Sequence, residues 1–184
     1  MEDQVPALLK AALEERTEWD EEPMMYVICS CGDEGSLHLH ATPAPDWFWQ
    51  QNRPPVMVMR LAQGMERHPE LLRMLASDLP PAEVFAGIAF RCEGWTVALE
   101  DKSPADTERL KRALTEHELC QQPERIGCRN IWACDTHGEL YAATQNRGGG
   151  VTAMHLDDSM DPQGTVLEGI VRLTLAMRTL LEGD

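Results

Sequence analysis

Cys29-Ser30-Cys31 and His38-Leu39-His40, separated by Gly32-Asp33-Glu34-Gly35, bring two thiols and two imidazoles within twelve residues. Thiolate and imidazole together are the donor set of zinc sites. The stretch reads as two strands around a Gly-rich turn, and successive side chains in a strand point to opposite faces, so register decides what the four donors can do. With a four-residue loop, 32–35, Cys31 faces Ser36 and Cys29 faces His38. Cys29, Cys31, His38 and His40 then share one face, with Tyr26, Ile28, Leu37 and Leu39 on the other, and the hairpin could clasp a tetrahedral ion. With a five-residue loop, 32–36, Cys31 faces Leu37 and Cys29 faces Leu39, so the thiols enter an apolar face with Val27 while the histidines face away. The close Cys-x-Cys and His-x-His spacing lacks the long intervals of familiar zinc modules, and free cysteine is among the most buried residue types. The core register is the expectation, and zinc is the one cofactor the sequence suggests.

Two weaker constellations stand beside it. Asp78 with Glu100-Asp101-Lys102 resembles the carboxylates and lysine of a metal-dependent nuclease, in which acids hold a divalent ion and lysine positions water. A strongly negative surface opposes a phosphate backbone, so nucleic acid is not the expected partner. His117 and Cys120 are spaced to meet on one helical face as a base and thiol pair, but they read as a helix end before Gln121-Gln122-Pro123. No nucleophile elbow, phosphate-binding loop or His-Glu-x-x-His helix occurs, and Gly148-Gly149-Gly150 has no lysine after it, which leaves it as a loop. Catalysis is not the expected function.

The elements that position these groups can be read from periodicity. Val5, Leu8, Leu9, Ala12 and Leu13 mark a helix over 4–16, the donor-bearing hairpin spans 24–42, and 43–55 is a proline-rich covering loop carrying Trp47-Phe48-Trp49. Helices are expected over 56–66 and 69–77. A second hairpin is expected over 84–100 with Glu93-Gly94 as its turn, setting Cys92 opposite Trp95, Phe90 opposite Val97 and Ile88 opposite Leu99. Ser103-Pro104-Ala105-Asp106 opens a helix to about 118, expected to lie across the sheet. The third hairpin pairs 126–134 with 140–146, closed by Asp135 on Glu139, which places Trp132, Cys134, Leu140 and Ala142 on a buried face. Its other face then displays Arg129, Tyr141, Gln145 and Arg147. After a loop over 148–161, Asp161-Pro162 starts a final helix whose wide apolar surface packs on the sheet or on a second subunit, suggesting a homodimer. These connections are too short for parallel crossovers, so a single α+β domain over 1–184 is expected: an antiparallel sheet built from β-hairpins and packed by N-terminal, central and C-terminal helices.

Charge and composition frame the function. The net charge is −15 over 184 residues, and residues 1–50 carry eleven acids against Lys10 and Arg16. Such a field favours basic partners. No apolar run of about eighteen residues is present and Met1-Glu2-Asp3-Gln4 is acidic where an export signal is basic, so a cytoplasmic protein with reduced cysteines and no membrane span is expected. The leading expectation is a small acidic protein that works by binding a macromolecular partner, in an accessory, immunity-like or chaperone-like role. Arg129, Gln145, Arg147, Trp47 and Trp49 are the candidate contacts. The alternatives are zinc binding through Cys29, Cys31, His38 and His40, and a metal-dependent nuclease.

Overall fold

The computed structural model describes residues 3–31, 35–79, 82–116, 118–157 and 164–183. Six strands, β1 (Met24–Cys31), β2 (Ser36–Thr42), β3 (Glu83–Thr96), β4 (Ile126–Asp135), β5 (Leu140–Asn146) and β6 (Val151–Leu156), form one antiparallel sheet in the order β2-β1-β3-β4-β5-β6. The helices are α1 (Gln4–Glu14), α2 (Asp46–Trp49), α3 (Pro54–Arg67), α4 (Pro69–Ser77), α5 (Pro104–Thr115) and α6 (Thr165–Gly183). The fold is α+β, an antiparallel sheet with helices packed on it.

Strand alternation sorts the core into two layers. Met25, Val27 and Cys29 of β1, Phe90 and Cys92 of β3 and Cys134 of β4 point to the side covered by α3, α4 and α6, where they meet Val58, Leu72, Ile170 and Leu173. Tyr26 and Ile28, Ala89, Ile131, Ala133, Tyr141 and Ala143 point to the other side, beneath Val5, Leu9 and Leu13 of α1. The apolar stripe of α1 is thus spent on its own sheet. The wide apolar surface of α6 is spent in the same way, between the sheet and α3, and Arg172 of α6 grips Glu66 of α3 with two hydrogen bonds of 2.7 and 2.6 Å. Much of the α6 surface on which a homodimer was expected is thus covered within the chain, while Leu175 and Leu181 stay exposed. The start of α6 at Asp161-Pro162 lies outside the described residues.

Three elements differ from expectation. The 84–100 segment is not a hairpin: β3 runs unbroken through Glu93-Gly94, which pair with Arg129 and Cys128 of β4. Phe90 is buried as expected, but Trp95 is substantially exposed, with the Arg125 guanidinium 4.9 Å from its ring centre. The charged residues that resembled a turn are satisfied in mid-strand by distant partners: Arg91 donates to Glu21 at 2.5 Å, and Glu93 accepts from Arg129 at 3.0 Å. Gly148-Gly149 is not an open loop but the turn into β6, with Gly148 at φ +83° and the Gly149 amide donating to the Asn146 carbonyl at 2.8 Å. α5 is capped by Ser103, whose hydroxyl accepts from the Asp106 amide at 3.1 Å, yet it packs chiefly on the 3-10 turn Leu119–Gln121 rather than across the sheet.

The third hairpin forms in the expected register. The Asp135 amide donates to the Glu139 carbonyl, the Glu139 amide donates back to Asp135 Oδ1, and Gly138 at φ +90° donates to the Asp135 carbonyl. In β3 a bulge opposite Ile28 and Cys29 lets both Phe85 and Ile88 face the α6 side. Gly87 forms that bulge where a Cβ would stand 2.3 Å from the Cys134 carbonyl oxygen, so no other residue fits without moving backbone.

Candidate metal centre

The first hairpin takes the four-residue-loop register, overturning the expected core register: Cys31 pairs with Ser36, Cys29 with His38 and Val27 with His40. Residues 32–34 themselves lie outside the described residues. The reason is visible in β2, whose Leu37 and Leu39 join Tyr26 and Ile28 in the layer beneath α1, so His38 and His40 turn to the opposite side with Cys29. All four donors named from the sequence therefore share one face at the end of the sheet.

A fifth donor joins them. Glu83, the first residue of β3, pairs with Cys31, and its carboxylate reaches the His40 imidazole at 2.5 Å. Cys29, His40 and Glu83 offer three ligand atoms within 4.8 Å of one another, one from each of three adjacent strands. Beside them the Cys31 sulfur lies 3.0 Å from His38 Nε2 and 3.5 Å from the Ser36 hydroxyl. Zinc bonds of about 2.0 Å to nitrogen or oxygen and 2.3 Å to sulfur put neighbouring tetrahedral ligands roughly 3.3–3.6 Å apart. His40 and Glu83, at 2.5 Å, would separate by about 1 Å to reach that span, and the Cys29 sulfur lies within 4.8 Å of both.

The environment grades from dry to wet. Cys29 is fully buried, and burial first, then the neighbouring Glu83 carboxylate, push its thiol up to about 12. Cys31 and His40 are partly exposed. A dry thiol held neutral is inert as a nucleophile, whereas a bound cation stabilises the thiolate and displaces the proton.

The remaining candidates are scattered. Arg129 is not on a solvent face: it is 0% exposed, because residues 15–22 fold back from α1 over this side of the sheet. Its guanidinium donates to the carbonyls of Arg16 and Glu18 and to Glu93, and lies 4.7 Å from the centre of the Trp19 ring, with Arg147 at 4.9 Å from the same ring. Arg129 is thus a structural anchor and not a partner contact. Arg147 is half exposed and approaches Asp20 at 3.7 Å, and Gln145 is partly buried on β5. Trp49 is buried against Phe90, whereas Trp47 is 62% exposed. Asp78 caps α4 near the start of β3, but Glu100 and Lys102 follow its far end, roughly 40 Å away at strand rise. The unbroken β3 therefore prevents the nuclease constellation from assembling. Cys120 is exposed, and His117 lies outside the described residues.

Glu83 was missed because nothing in its neighbourhood marks it: it lies 43 residues beyond His40, and only the placement of β1 between β2 and β3 joins the two. No family model matches the chain, nor does any curated protein or solved structure.

Proposed function

We propose that this protein binds a zinc ion at the β2-β1-β3 end of its sheet. Cys29, His40 and Glu83 are the inner ligands, and the Cys31 and His38 pair supplies the fourth donor. The observation that carries this reading is the convergence of Cys29, His40 and Glu83 within 4.8 Å from three different strands. A mixed set of one thiolate, one imidazole and one carboxylate suits a borderline-soft ion. The ion staples the edge strand β2, which among the described residues pairs only with β1, to the interior strand β3. The test is competitive titration of metal-free protein with a zinc-responsive dye. Cys29→Ser or His40→Ala is expected to weaken binding by about 100-fold or more, beyond the 10–100-fold typical of substitutions that merely orient a ligand. Unchanged affinity in both variants would end the proposal.

A second reading, recognition of a basic macromolecular partner in an accessory, immunity-like or chaperone-like role in the cytoplasm, is favoured by the strap that follows α1. Asp20 has a side chain 90% exposed, and Glu15, Glu18 and Glu22 are exposed around it, although Glu21 is neutralised by Arg91 and Arg16. Trp47 adds an exposed aromatic on the helical side. Association that follows this reading weakens steeply with salt, and affinity indifferent to salt contradicts it.

A further inference from the structure

Between the sheet and the helices that follow β2 lies a half-open apolar pocket of about 250 Å³. Its floor is Met25, Val27 and Ile88, its roof is the Pro43-Ala44-Pro45 segment with Phe48, and Met65, Leu75 and Leu173 close the sides. Protein interiors are packed to crystal-like density, with few voids larger than a water molecule. An enclosed apolar cavity of 150 Å³ accepts benzene, so by volume alone a pocket of 250 Å³ has room for a molecule about half as large again. The roof resists collapse into this space: two prolines fix its backbone, and the Phe48 amide holds the turn by donating to the Pro45 carbonyl at 2.8 Å.

We infer that this cavity is a binding site for a small, uncharged, largely apolar molecule the size of a fused two-ring aromatic. Among the described residues no charged side chain lines it, which disfavours a ligand carrying a carboxylate or ammonium, since an unpaired charge there is costly. Thr42 supplies a hydroxyl, and the Tyr26 hydroxyl is engaged with Arg91 on the other side of the sheet, so the ligand carries at most one hydrogen-bonding atom. Methionines suit such a role, since an unbranched thioether adapts to ligands of differing outline. The site is distinct from the metal centre and does not depend on it.

Indole is the probe, titrated into full-length protein carrying methyl-labelled methionine. Ring currents are expected to shift the Met25 and Met65 methyl resonances in a saturable way, leaving exposed Met154 on β6 unmoved. At tenfold its Kd, indole is expected to raise Tm by about 3–6 °C. Ala44→Phe, which fills the roof from within, is expected to abolish both responses while remaining folded. Unmoved Met25 and Met65 resonances at millimolar indole, equal shifts at Met154, or a full response in a folded Ala44→Phe variant would each overturn the inference. If that variant does not fold, the wild-type methyl shifts decide alone.

Discussion

The His40 imidazole on β2 and the Glu83 carboxylate on β3 meet at 2.5 Å across β1, the strand that separates them. Cys29 on that intervening strand lies within ligand reach of both. Three strands thus contribute one donor each to a single point at the end of the sheet, and a cation there would hold the otherwise once-paired β2 in place. Removing zinc is therefore expected to loosen β2 selectively. Amide exchange of Leu37–Ala41 should accelerate at least tenfold after chelation, while amides of β4 keep their protection.

Arg129 is expected to be the most costly single charge to remove. It is fully buried, bound to Glu93 and to two carbonyls of the strap, and truncation strands the mostly buried Glu93 carboxylate. Arg129→Ala should destabilise the fold by about 3–5 kcal/mol in urea denaturation, and Arg129→Met combined with Glu93→Gln should recover part of that loss.

Gly87 is expected to tolerate no side chain. The bulge brings its α-carbon so close to β4 that an added Cβ stands 2.3 Å from the Cys134 carbonyl, so Gly87→Ala requires a backbone shift. A loss of about 1–3 kcal/mol by denaturant midpoint is expected, with the slope of the transition unchanged.

Core thiols make the fold sensitive to alkali. Burial pushes Cys92 up to about 12 and Cys134 up to about 11, above the ordinary value of 9.0 that applies in the unfolded chain. The native state therefore holds protons that the unfolded state gives up first. Their contribution is complete below about pH 9 and is lost as pH rises toward 11–12. The urea midpoint should fall between pH 8.5 and pH 10.5, and the Cys92→Ala, Cys134→Ala double variant should show a flatter dependence.

The parts legible in the sequence were those fixed by local chemistry. The β4-β5 hairpin follows from Asp135 and Gly138 closing one turn, and the start of α5 follows from the Ser103 hydroxyl on the Asp106 amide. The parts that were not legible depend on partners far along the chain. Glu93-Gly94 resembles a turn until Arg129 and the Asp20 amide are seen to satisfy Glu93 in mid-strand. Arg129 resembles a solvent-facing residue until the strap after α1 covers it. The donor hairpin lay between: its four residues were evident, but two registers fitted them, and the choice was made by Leu37 and Leu39 packing with Tyr26 and Ile28 on the α1 side. Glu83 carried no local mark, because its role arises only from the order β2-β1-β3.

Elemental analysis of the protein purified without a histidine tag tests the metal centre most directly. About one equivalent of zinc per chain is expected, falling below a tenth of an equivalent in the Cys29→Ser, His40→Ala double variant. Less than a tenth of an equivalent in the wild-type protein, with no uptake when zinc is added back, would contradict it.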